Sequence, residues 1–150
     1  MKTQALGLAL TAALGFSTPL LAGGAAQNIH VYKSPTCGCC TDWVKHLEAN
    51  GFEVEVTDTQ NLNPVKQDAG LTPSLASCHT AFIGEYVIEG HVPASDIRRL
   101  IAEAPRVRGL SVPGMPVGSP GMEMGDRKDA FQVLMFNDQG QTRVFSEHNQ

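Results

Sequence analysis

Along the chain the spacing of apolar residues changes character several times, and each change marks an element. Residues 29–34, Ile-His-Val-Tyr-Lys-Ser, alternate in the period-two pattern of a half-buried strand and are rich in β-branched and aromatic side chains. Ser34-Pro35-Thr36 breaks that alternation. From Cys39 to Asn50 the apolar positions Trp43, Val44 and Leu47 follow helical spacing, and Asn50-Gly51 supplies a C-terminal stop. Residues 52–57 return to period two, with Phe52, Val54 and Val56 on one face and Glu53 and Glu55 on the other. A strand, a helix and a strand in this order predict a right-handed crossover and a parallel pair.

The pattern continues less regularly. Residues 61–69 suit a short helix closed by Gly70, and Thr72-Pro73 forces an extended entry to the next segment. Residues 77–83 and 86–89 flank Gly84-Glu85, a two-residue hairpin signal. Residues 93–104 read as a helix with Pro93 near its first position, Asp96 in the first turn, and Ile97, Leu100 and Ile101 turned inward. The stretch 109–125 is rich in Gly and Pro, and residues 131–136 and 142–145 form a last hairpin turned at Asp138-Gln139-Gly140. The order β-α-β-α-β-β-α is that of a thioredoxin-like domain. The expected fold is therefore α/β: a thioredoxin-like mixed sheet flanked by helices, with a Gly/Pro/Met-rich loop and a C-terminal β-hairpin.

The first residues belong to a different pattern. Lys2 precedes an apolar stretch from Ala5 to Leu21, interrupted by Gly7, Gly15 and Pro19 and followed by small residues up to Ala26. This is the layout of a secretory signal peptide, too short and too interrupted for a retained membrane span. Residues 27–150 then make one domain of ordinary size, exported and not membrane-bound once the signal is removed. The formal net charge is −4 at pH 7 with histidines neutral, and the export segment carries only Lys2, so the remainder is more acidic still. An acidic chain without a basic cluster is a poor nucleic-acid binder, but it does not repel cations.

Three of the four cysteines fall within Cys37-Gly38-Cys39-Cys40, at the turn between the first strand and the first helix. A helix N-terminus favours negative charge and so lowers thiol pKa values. Three thiolates this close repel one another, and a bound soft cation is the natural way to keep all of them ionised. Crowded thiolates suit Cu(I) in a small cluster, because each sulfur can bridge two metals. Cys78, in Ser77-Cys78-His79 at the start of the expected third strand, lies where it can reach the triplet. His79 falls on the opposite face if that strand is regular, which favours Cys78 alone as the ligand.

His46 follows Cys39 by seven residues on one face of the helix, as a direct or outer ligand about 11 Å away by helical rise, or as a simple surface histidine. His91, in the strand-to-helix loop Glu89-Gly90-His91-Val92-Pro93, is a further candidate, whereas His30 and His148 carry no such signal. Met115, Met122 and Met124 sit in the Gly/Pro-rich loop without the periodicity of core methionines, and thioether is a soft Cu(I) ligand that needs no deprotonation. Two other readings stay open. Cys37 and Cys40 have the C-x-x-C spacing of a thiol-disulfide oxidoreductase. Four cysteines also suffice for a structural zinc site.

With these residues in place the chain resembles the CopG copper-resistance type, a family of small exported proteins long classed as a domain of unknown function. The resemblance rests on Cys37-Gly38-Cys39-Cys40 with Trp43 and His46, on Ser77-Cys78-His79-Thr80, on Glu89-Gly90-His91-Val92-Pro93, and on 109–116 running into 118–123. It implies a thioredoxin-like fold whose cysteine motif is given over to copper. It further implies a cysteine-bridged multinuclear copper site in a periplasmic protein, Cu(I)/Cu(II) interconversion during detoxification, and copper ions with other periplasmic copper-handling proteins as partners.

Overall fold

The computed structural model describes residues 27–150, and the export segment expected at 1–26 lies outside the described residues. Ten elements follow one another among the described residues: β1 Gln27–Lys33, α1 Gly38–Ala49, β2 Phe52–Asp58, α2 Asn63–Asp68, β3 Thr80–Ile83, β4 Tyr86–Glu89, α3 Ala94–Glu103, β5 Gly109–Ser111, β6 Phe131–Phe136 and β7 Thr142–His148. The strands make one seven-stranded sheet in the order β2-β1-β3-β4-β5-β6-β7. β1 and β2 run parallel, as a crossover through α1 requires, with Val31 opposite Val56. β3 and β4 form the hairpin expected at Gly84-Glu85, where Gly84 takes a φ of 56°. β6 and β7 form the C-terminal hairpin.

Both faces of the sheet are covered. Trp43, Val44 and Leu47 of α1 and Ala94, Ile97 and Leu100 of α3 bury against Ile29, Val31, Ala81, Ile88, Leu110 and Val133. On the other face Ala69 and Leu75, at and beyond the end of α2, pack with Val87 and Phe136. A sheet buried on both sides explains why β4 is apolar at consecutive positions rather than alternating.

Two elements differ from the sequence pattern, and both differences bear on the site. The strand expected from residue 77 begins only at Thr80, because the polar groups of the preceding corner are bonded elsewhere. Ser77 N–H donates to the Glu89 carboxylate at 2.6 Å, and Ala76 O accepts from Gly114 N at 3.2 Å. Conversely, β5 lies inside a stretch that composition marks as loop. Gly109 makes it possible, since a Cβ there would stand 1.8 Å from Val87 O, so only glycine lets β5 close on β4.

Candidate metal centre

The cysteine run sits at the head of α1. Cys37 is its N-cap in extended conformation, without a side-chain cap, and Cys39 and Cys40 occupy the first turn. The free N–H groups and dipole of that turn favour negative charge on sulfurs placed there. Cys37 and Cys40 are joined in a disulfide, whereas Cys39 and Cys78 keep free thiols. Cys39 Sγ lies 3.5 Å from Cys37 Sγ. The four cysteine sulfurs all lie within 4.8 Å of one another, with Cys78 brought in from 38 residues beyond Cys40. Cys40 is buried in line with Trp43, Val44 and Leu47, while Cys37 and Cys39 are partly open. Cys78 is partly open as well, so three of the four cysteines are accessible to solvent.

Cys78 also belongs to a second group with His79 and His91, whose ligand atoms fall within the same 4.8 Å. His91 Nδ1–H donates to Pro120 O at 2.8 Å, which leaves Nε2 with its lone pair directed at Cys78 Sγ, 3.1 Å away. His79 Nδ1 stands 3.3 Å from the same sulfur, and its Nε2 has no hydrogen-bond partner. Stacking holds this ring instead: it lies 4.3 Å from Trp43 and edge-on to His91 at 4.9 Å. Trp43 is itself fixed by donating Nε1–H to Val92 O at 2.9 Å.

The electrostatics favour neutral imidazoles and disfavour a bare thiolate. Burial pushes the Cys78 thiol up to about 12, and the Cys39 thiol beside it adds to the effect. Burial holds His79 well below the usual imidazole range, with His91, Lys66 and Lys33 pushing the same way. His91 and His46 are lowered by burial as well, offset in part by the bond to Pro120 O and by Glu123 for His91, and by Glu123 for His46. Neutral imidazole is the form that ligates metal, and a bound cation is what would stabilise Cys78 as thiolate. The donor set of soft sulfur with two borderline nitrogens fits copper.

The corner carrying Cys78 and His79 is laced by one carboxylate. Glu89, fully buried at the end of β4, accepts from Ser77 N–H at 2.6 Å, Thr80 Oγ1 at 2.7 Å and Lys66 Nζ at 2.5 Å. Gly90 N–H donates to His79 O at 3.1 Å. Gly90 has a φ of 72°, and a Cβ on it would meet Ser77 and Val112 O at 2.6 Å. The loop from Val112 to Gly125 spans both halves: Gly114 O accepts from Ser77 Oγ, Pro120 O accepts from His91, and Gly121 lies on the backbone of Cys39 and Trp43.

The other sequence candidates are placed differently. His46 is not in either group, because its Nε2 accepts from Ala94 N–H at 3.1 Å and so caps α3. Met115 and Met124 are more than half exposed, at 52% and 63%, and Met122 is partly buried next to Gly121. His30 bonds Thr57, and His148 pairs with Asp96 at 2.7 Å, both outside these two groups. A cavity of about 620 Å³ lined by Ile83, Tyr86, Ile101 and Val107 contains none of the candidate ligands.

The family described as "Protein of unknown function, DUF411" matches residues 75–122, a span that holds Cys78, His79, Glu89, His91 and the loop but not the cysteine triplet. A solved structure named "Copper resistance protein copG- Form 2" is 48% identical with a TM-score of 0.79, covering 83% of this chain and 99% of that one. A second, "Copper resistance protein copG- Form 1", is 49% identical with a TM-score of 0.78, covering 83% and 98%. The chain belongs to the CopG copper-resistance family. No curated protein matches it.

Within this CopG-family chain, sequence reasoning misses His79 and the Glu89–Lys66 pair. Strand alternation sets His79 aside, but Cys78 and His79 precede the strand, so the period-two rule does not separate them. Lys66 carries no signal of its own, and Glu89 only a weak one. A glutamate closing an otherwise apolar run, just ahead of Gly90-His91, is the one cue that it is buried.

Proposed function

We propose that the chain is a periplasmic copper-handling protein in which Cys37, Cys39, Cys40 and Cys78 bridge more than one copper ion on a thioredoxin-like core. His91 and His79 complete the shell, and residues 1–26 direct export. The observation that carries this reading is the meeting of the four sulfurs and two neutral imidazoles around Cys78, in a chain nearly half identical to copper resistance proteins. Thiolates favour Cu(I) and imidazoles tolerate Cu(II), so a mixed shell can change oxidation state without losing metal. Met115, Met122 and Met124 would supply soft donors at the rim, on the loop that lies across the site.

Opening the Cys37–Cys40 disulfide is a condition for the full thiolate set. Elemental analysis and a thiol count on protein from the exported fraction, after reduction, test the reading. More than one copper per chain, with that multiple complement lost in Cys39→Ser, is the expected outcome, and zinc alone at one ion per chain overturns it. The same disulfide, at the head of α1, favours one second reading: a thiol-disulfide oxidoreductase with Cys37 as the attacking thiolate. That reading requires disulfide exchange abolished by Cys37→Ser in protein that binds no copper.

A further inference from the structure

We propose that Glu89, with Lys66 as its counter-ion, is a positioning residue that holds the Cys78–His79 corner against His91 before copper arrives. This rests on the reading of the group as a copper site. The corner Ser77-Cys78-His79-Thr80 has no ladder hydrogen bonds at its start, and yet it must set a thiol and an imidazole to within a few tenths of an ångström for metal binding. One carboxylate grips both of its ends. Oε1 accepts from Ser77 N–H, one residue before Cys78, and Oε2 accepts from Thr80 Oγ1, one residue after His79. Glu89 also stands two residues ahead of His91, so the third ligand hangs from the same anchor.

Lys66 completes the device. Its ammonium donates to both Glu89 Oε1 and Thr80 Oγ1, at 2.5 and 3.0 Å, and ties α2 to the corner. A fully buried carboxylate with three donors is held far more firmly than one in water, and the groups bonded to it share that rigidity. None of these atoms belongs to either ligand group, so the pair acts through Cys78, His79 and His91 rather than on copper itself. Outer partners of this kind change metal affinity about 10- to 100-fold when removed.

The test uses Glu89→Gln/Lys66→Met, which leaves no unpaired buried charge, and Thr80→Val, which removes the one hydroxyl that donates to Oε2 and accepts from Lys66 while leaving the Lys66–Glu89 pair in place. Each protein and the unaltered chain are reduced, loaded with Cu(I) alone, and followed for copper per chain, thiolate-to-copper absorbance and the rate of transfer to a colorimetric Cu(I) chelator. Circular dichroism and Tm of the metal-free forms report folding. The double variant is expected to release copper about tenfold faster with a shifted absorbance band, and Thr80→Val to move in the same direction by less. An unaltered protein that takes up no copper overturns the proposed function. Copper bound normally by the unaltered protein and released at the same rate by folded variants overturns the positioning role alone, including the case in which only Tm falls. If the double variant does not fold, Thr80→Val decides the matter by the same readings.

Discussion

The two walls of the candidate site are built by different means. The cysteine wall, Cys37 to Cys40, is local: four consecutive residues at the head of α1, partly open to solvent and joined by a bond that redox chemistry can make or break. The opposite wall of Cys78, His79 and His91 is assembled from two separate stretches, lies deeper, and is tied by Glu89, Pro120 O and Trp43. A local wall can alter its covalent state without unfolding anything else. A long-range wall cannot move without disturbing the sheet. Such a site has one adaptable side and one rigid side, and a metal that changes oxidation state can use both.

The strongest way to break this comparison is to remove the sulfur shared by both groups. Cys78→Ser is expected to abolish copper binding by the reduced protein, whereas Cys37→Ser, which removes one sulfur of the adaptable wall, should retain part of the copper. Copper per chain after gel filtration measures both. Equal loss in the two variants would show that the walls do not differ in the way described.

The next largest effect concerns the loop that joins the walls. A Cβ on Gly121 would stand 2.7 Å from Cys39 O and from Trp43 N, and the residue has a φ of +82°. Backbone atoms cannot yield there as a flexible side chain would. Gly121→Ala is expected to destabilise the protein by about 3 kcal/mol, combining left-handed strain with overpacking, as read from urea unfolding. Because Pro120 O orients His91, copper release should quicken as well.

How much of this is legible in the sequence follows the same division. The local wall can be read directly, since Cys37, Cys39 and Cys40 stand together after a strand and before a helix with Trp43, Val44 and Leu47 in register. Cys78 and His91 follow from the element order that brings the ends of β1, β3 and β4 together. His79 escapes because its corner imitates a strand in composition, and β5 because Gly109 marks close backbone approach as readily as a turn. The Lys66–Glu89 pair is invisible for a deeper reason. Burial of a charge depends on partners 23 residues apart, which no spacing rule reports.

A smaller effect separates the walls by pH. His79 is neutral in the fold, its pKa held below the ordinary 6.5 chiefly by burial, and it titrates normally once unfolded. Above pH 6.5 neither state binds a proton there, so nothing is gained or lost. As pH falls below 6.5 the unfolded chain takes up a proton that the folded chain refuses, and stability declines by up to about 1.4 kcal/mol per pH unit for this group. His91 and His46 shift in the same direction. Urea unfolding of reduced, metal-free protein between pH 7.5 and 5.5 should show the decline, and His79→Phe, which keeps a ring against Trp43, should make it shallower by up to one proton. An unchanged slope would mean that His79 is not the group held neutral.

The smallest effect decides what His46 does. Its Nε2 accepts from Ala94 N–H, the first residue of α3, in the manner of an N-cap supplied by another helix. The helix has no side-chain cap of its own at Pro93, so this bond satisfies a donor that would otherwise be buried without a partner. A nitrogen engaged in that way has no lone pair left for a metal. His46→Ala is therefore expected to cost about 1 kcal/mol in unfolding free energy, the usual worth of a lost cap, while copper per chain and the rate of transfer to a chelator stay as they were. The opposite pattern, copper lost at unchanged stability, would move His46 out of the scaffold and into the adaptable wall, seven residues down the same helix from Cys39.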